Sequence, residues 1–168
     1  MSRAGVDVTF TDHGLKKLME TLKELGRLRV TVGVQGKDAT ATYDDGTTIS
    51  AIARFNEFGT RDIPARGFMR RAVKEQGRTE LPKAAAMGIG AVVSKGQDPV
   101  KGMDVIGNVM ADAVVNQIES ADTWAAPNAP ATVKKKGHGQ PLYETGKLRK
   151  AITWAVKKGY EIKSEGKP

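Results

Sequence analysis

Apolar and polar positions alternate along this chain with two periods, and each switch of period marks an element. Val6, Val8 and Phe10 alternate with Asp7 and Thr9, the two-residue period of a short half-buried strand. Leu15, Leu18, Met19, Leu22 and Leu25 then recur at helical spacing, with Asp12 placed to accept from the first-turn amides and Gly26 where a left-handed C-terminal cap is expected. Leu28, Val30, Val32 and Val34 return to alternation and predict a strand with one core face. Residues 36 to 47, rich in Gly, Asp and Thr, read as a loop or open hairpin. Thr48 or Ser50 can cap a short helix carrying Ile49, Ile52, Ala53 and Phe55 that stops near Gly59.

From Gly67 to Ala91 the chain is mostly helix-compatible, with Phe68, Val73 and Leu81 as expected buried residues and Pro82 as an expected kink or break. Asp98-Pro99 is a strong helix start, because proline at the first helical position loses no needed amide bond. Met103, Ile106, Met110, Val114 and Ile118 define one apolar stripe of a helix running to about Ser120. Gly102 and Gly107 weaken that helix by roughly 1 kcal/mol each relative to alanine, so close packing against another backbone must compensate, or the helix is stable only in an assembly.

The texture changes at Asp122. Pro127 and Pro130 predict an extended, stiffened stretch, and Lys134 to Gln140 a flexible basic tip, so a Pro/Gly/Lys-rich loop is expected over residues 124–141. Order returns at Pro141, a helical turn through Leu148 follows, and Ile152, Trp154 and Val156 alternate as a strand that Tyr160 and Ile162 extend as a returning partner. These elements predict an α+β fold: a small mixed sheet packed by two or three helices, in one domain over residues 1–163 with a frayed tail at 164–168.

Composition narrows the chemistry. Without cysteine there are no disulfides, thiolate metal sites or cysteine nucleophiles. No apolar run is long enough to span a bilayer, and the first residues hold no apolar signal core, so no membrane partner and synthesis in a cytoplasm are expected. The net charge of +8 is lopsided: from Lys134 onward ten Lys and Arg face Glu144, Glu161 and Glu165, leaving +7 in the last fifth of the chain. Such a segment binds phosphate by counterion release, pairs with an acidic neighbour, or is simply solvated.

Candidate catalytic groups are sparse. His13 and His138 have no assignable serine or carboxylate partner, and Asp44-Asp45 lack the further oxygen ligands a magnesium or calcium ion needs. Gly88-Ile89-Gly90 lacks the third glycine of a dinucleotide fingerprint and follows a helical pattern instead of a strand. The expectation is a protein that is not an enzyme and carries no metal or cofactor.

Two blocks carry a resemblance. Asn56-Glu57-Phe58-Gly59-Thr60 followed by Ile63-Pro64-Ala65-Arg66-Gly67-Phe68-Met69-Arg70 resembles the signature of tailed-phage virion morphogenesis proteins, the tail-completion group. Trp124, Pro127-Asn128, Pro130, Thr132, Lys136, Pro141-Leu142, Thr145-Gly146, Leu148 and Ile152 resemble the C-terminal half of the same family in order and spacing. Gly67 departs from the proline expected before the aromatic residue, and Glu144 from the usual aspartate. The resemblance implies a structural virion protein at the head–tail junction: a ring, six-fold by analogy, whose partners are copies of itself, other neck, connector and tail-terminator or tail-tube proteins, and the packaged DNA end.

The expected interface residues are Asn56, Glu57, Arg66, Arg70, Arg71, Trp124, Asn128, Lys134, Lys135 and Lys136. Arg66, Arg70 and Arg71 place guanidinium groups that can fork onto carboxylates of an adjacent subunit, Arg66 foremost, or onto Glu57 and Asp62 of their own. Phe58 and Phe68 are expected in the core. The competing function is a basic nucleic-acid-binding accessory protein contacting DNA through its C-terminal segment.

Overall fold

A computed structural model describes residues 14–159. The strand expected at Val6 to Phe10, the cap at Asp12, His13, the returning strand at Tyr160 and Ile162 and the tail at 164–168 lie outside the described residues. Helix α1 (Leu15–Leu25) leads through Gly26 into strand β1 (Leu28–Val34). Gly26 is not left-handed as expected: with φ −64° it keeps the helical sense for another residue, and its amide still bonds the Leu22 carbonyl at 2.9 Å.

Strand β1 pairs antiparallel with β2 (Ile152–Lys158), from Leu28 opposite Lys158 to Val34 opposite Ile152. The described sheet is this two-stranded pair, joining the two ends of the described chain. It lies on α5 (Pro99–Glu119), which also packs against α3 (Phe68–Ala72) and α4 (Arg78–Lys95), so α5 is the axle of the α+β fold. Asp98 caps α5 by accepting from the Val100 amide at 2.8 Å, with Pro99 at the first helical position as expected. Phe68, Ile118 and Val92 are the largest fully buried side chains of the core.

The apolar stripe of α5 is only half core. Val114 and Ile118 are buried, whereas Met103, Ile106 and Met110 are half-buried, because the innermost positions of the first half are Gly102 and Gly107. A Cβ on Gly88 of α4 would lie 2.2 Å from the Gly102 carbonyl oxygen, and one on Gly107 would lie 2.2 Å from Trp154 Cδ1. Backbone therefore meets backbone where α4 crosses α5, and the Trp154 ring covers Gly107 while its Nε1 donates to Asp104 at 3.1 Å. The glycines that weaken the helix are the ones its neighbours require.

Residues 67 to 91 depart from the expected burial. Val73 and Leu81 are exposed, and Pro82 sits inside α4 without ending it. The irregularity falls earlier, as a π turn at Val73–Gly77 that lets α3 run into α4 and swings Val73 outward while Gly77 closes on Met110. Phe58 is also exposed, because α2 (Ile49–Phe58) buries Ile49, Ala53 and Glu57 at four-residue steps and Phe58 lies one position round, under the Arg70 guanidinium at 5.3 Å.

Candidate functional site

The two blocks that carry the resemblance meet in space, and the loop after α2 shows how. Gly59 takes φ 79°, where a side chain would be strained, and a Cβ there would lie 3.0 Å from the Ala65 amide nitrogen. The chain can therefore fold back: the Thr60 amide bonds the Ile63 carbonyl at 2.8 Å, and the Arg66 amide bonds the Asn56 carbonyl at 2.6 Å. Glu57, 4% exposed, then reaches the start of α3, accepting from the Met69 amide at 2.9 Å, the Arg70 amide at 3.2 Å and Arg70 Nε at 2.9 Å. A carboxylate satisfies first-turn amides that no local side chain caps.

Arg66 makes the connection between the blocks. It is 5% exposed, and its guanidinium donates to the Ala126 carbonyl at 2.7 Å, Asn56 Oδ1 at 2.9 Å, the Pro127 carbonyl at 3.0 Å and Asn128 Oδ1 at 3.3 Å. Burial pushes its pKa below the ordinary arginine value. Within its own chain Arg66 binds neutral oxygens and neither Glu57 nor Asp62, so the expected internal pairing of Arg66 with those carboxylates is corrected here. Asp62 instead lies 3.5 Å from Arg61 at the surface. Of the other two arginines, Arg70 pairs with Glu57, and Arg71 donates to Gln117 at 3.0 Å, lies over the Trp124 ring at 5.0 Å and approaches Glu75 at 3.8 Å.

Within the 124–141 segment, expected as a loop with a flexible basic tip, residues 126–129 lie outside helix and strand, whereas 130–136 are helical. Trp124 closes the short helix α6 (Ala121–Trp124) and donates from Nε1 to the Gln117 carbonyl at 3.1 Å. Lys134, Lys135 and Lys136 end a helix, α7 (Pro130–Lys136), started by proline at its first position and stopped by left-handed Gly137. Asn128 Nδ2 bonds the Gly139 and Gln140 carbonyls at 3.1 and 3.0 Å, closing the segment on itself. Lys134 and Lys135 are exposed, whereas Lys136 is half-buried and donates to the Gln140 carbonyl at 3.0 Å. Helix α8 (Lys147–Lys150) follows Leu142, which is buried at φ 58°.

Between α2, α7 and the turn before α8 lies an open cleft of about 180 Å³ with Arg66, Lys136, Asn128 and Tyr143 in its lining. It is well below the roughly 300 Å³ at which pockets for cofactors begin. Lys136 is held below the ordinary lysine range, first by burial and further by Arg66, with Glu144 opposing. The Tyr43 phenol is pushed up by burial and by Glu144. Asp45, half of the acidic pair, accepts from the Thr47 amide at 2.9 Å in a turn, and that bond lowers its pKa. The His138 and Tyr143 rings lie 5.8 Å apart, tilted by 56°.

All ten expected interface residues lie within the described chain, but they divide. Asn56, Glu57, Arg66, Arg71, Trp124, Asn128 and Lys136 are joined by bonds and ring contacts within the subunit, whereas Lys134, Lys135 and the outer side of Arg70 face solvent. Sequence reasoning missed Gln117, buried on α5 between Val114 and Ile118, which accepts from Arg71 on its side chain and from Trp124 on its carbonyl. Its signal was a polar residue on an otherwise apolar stripe.

No family model, curated protein or solved structure matches the chain. Among the described residues no helix is long and apolar enough to cross a membrane, and no group of three His, Asp or Glu is gathered as a metal site would need.

Proposed function

We propose that this chain is a structural protein of a tailed-phage virion, a tail-completion or head–tail joining component that works as a ring at the neck, caps the tail and connects it to the head. One observation carries the reading. The two blocks resembling that family are some sixty positions apart, yet Arg66 of the first holds Ala126, Pro127 and Asn128 of the second. The two resembling blocks are thus parts of one clamp, as expected if the resemblance reflects a shared shape. The hydrogen-bonding groups of that clamp serve the chain's own backbone and amides and leave no nucleophile and base poised together.

The DNA-binding alternative is less well supported by the fate of the basic side chains. Lys136 and Lys147 donate to carbonyls of the chain, Arg149 pairs with Glu119 at 2.6 Å, and Lys158 with Glu24 at 3.3 Å. Fewer free cations remain for a phosphate backbone than the count of +7 implies.

The test is to mix the full-length chain with isolated tails and, separately, with duplex DNA, following mass by light scattering and tail ends by electron microscopy. A DNA-independent ring, or density capping one tail end, is the expected result. A monomer that ignores tails and binds DNA with steep salt dependence would overturn the proposal in favour of the accessory protein.

A further inference from the structure

We infer that the cleft beside Arg66 is a receptor for a single carboxylate side chain, aspartate or glutamate, presented by a neighbouring protein chain. The first ground is an uncompensated charge. Arg66 is nearly fully buried and cannot shed its proton, yet all its partners are neutral oxygens, and among the described residues no carboxylate lies within ion-pair distance of it. Its four bonds use at most four of five N–H groups, leaving one on Nη1.

The second ground is a further cation in the same cleft. Lys136 is half-buried, and its ammonium gives one bond, to the Gln140 carbonyl, of the three it can donate. Glu144 opposes the effects of burial and of Arg66 on Lys136 without cancelling them, since the Lys136 pKa stays lowered, and a carboxylate seated between the two cations would relieve both. Thr132 and Tyr143, both hydroxyl-bearing, also belong to the lining.

Size and rim choose the ligand. About 180 Å³ accepts an acidic side chain but falls short of a nucleotide or cofactor. Asp62 and Glu144, both exposed, also belong to the lining, so a multiply charged nucleic-acid backbone meets more repulsion there than a single carboxylate does. This preference would hold whether or not the chain sits in a phage neck, so its failure and the failure of the neck proposal are separate results.

The probe is N-acetyl-glutamate N-methylamide, titrated at matched ionic strength into the isotopically labelled full-length chain and compared with its glutamine counterpart. The Arg66 Nε–H and the amides of Thr132 and Lys136 should shift saturably with the glutamate probe, and about tenfold more weakly, or not at all, with glutamine, a difference of about 1.4 kcal/mol. Lys136→Gln should weaken the glutamate response while the Arg66 Nε–H stays in its bonded position, and Lys136→Arg should restore it. Equal responses to the two probes, no saturable shift at all, or a short single-stranded DNA saturating the same resonances at lower concentration would each overturn the inference. Should Lys136→Gln fail to fold, the comparison of the two probes on the parent chain decides alone.

Discussion

Two junctions hold this chain together, and they do it by opposite means. Where α4 crosses α5, and where Trp154 covers α5, the contact depends on missing side chains: Gly88, Gly102 and Gly107 let main chain and ring approach to distances that one methyl group would forbid. Where the 56–70 segment meets the 124–128 segment, the contact depends on long polar side chains, with Arg66 and Glu57 buried and bonded to carbonyls, amides and an asparagine. The first junction is indifferent to water and charge and intolerant of volume. The second tolerates some change of volume but strands several polar groups if one partner is lost.

The sharpest way to break the contrast is to remove the centre of the polar junction. Arg66→Ala strands the carbonyls of Ala126 and Pro127 and the Asn56 side-chain oxygen at once, so a loss of about 3 kcal/mol is expected, with faster amide exchange concentrated in residues 125–141. Chemical denaturation and hydrogen exchange measure both. A variant as stable as the parent, with unchanged exchange there, would mean that Arg66 is not what joins the blocks.

The glycine junction should answer next. Gly88→Ala gains about 1 kcal/mol of helix propensity but drives a Cβ into the Gly102 carbonyl, so the helices must part, for a net loss of about 2 kcal/mol. Gly90, two residues along the same helix, has open space around it, and Gly90→Ala should stabilise by about 0.5–1 kcal/mol. Opposite signs in thermal melts of the two variants are the expected outcome. The same sign in both would show that helix propensity and not the crossing governs these positions.

The same contrast explains what was legible in the sequence. The period of α1, β1, α5 and β2, the Asp98-Pro99 start and the core position of Phe68 were readable because each follows from local pattern or local capping. Both junctions were half-legible. Gly102 and Gly107 could be read as a weakness needing a close neighbour, but not which neighbour, since Gly88 and Trp154 lie far along the chain. Arg66 could be read as an anchor, but its charge pointed to a carboxylate outside the chain, while its partners are carbonyls some sixty positions away. The helix at 130–136 was not legible because prolines and glycines signal irregular backbone without saying what pins it, here Asn128 and the helix formed by the lysines themselves.

The smallest expected effect sharpens the comparison by pH. Lys136 belongs to the polar junction, and its pKa in the folded chain is below the ordinary 10.5, first because burial disfavours the charged form. The sign follows from linkage: below the depressed folded value the ammonium is charged both folded and unfolded, and folding bears the whole desolvation cost. As pH rises through that value toward 10.5, the folded form sheds its proton first, the cost falls and the parent gains stability. Relative to Lys136→Met, which has no such group, the parent should therefore gain as the solution becomes more alkaline, by less than about 1 kcal/mol because the side chain is half-exposed and screened. The deficit of Gly88→Ala should stay flat over the same range, since the atoms that meet at that crossing are main chain and the Val92 side chain. Paired urea titrations at stepped alkaline pH read both differences. A parent-minus-Lys136→Met difference that is flat or falls with pH would remove the desolvated charge from the polar junction and leave only its neutral hydrogen bonds to set it apart from the glycine crossing.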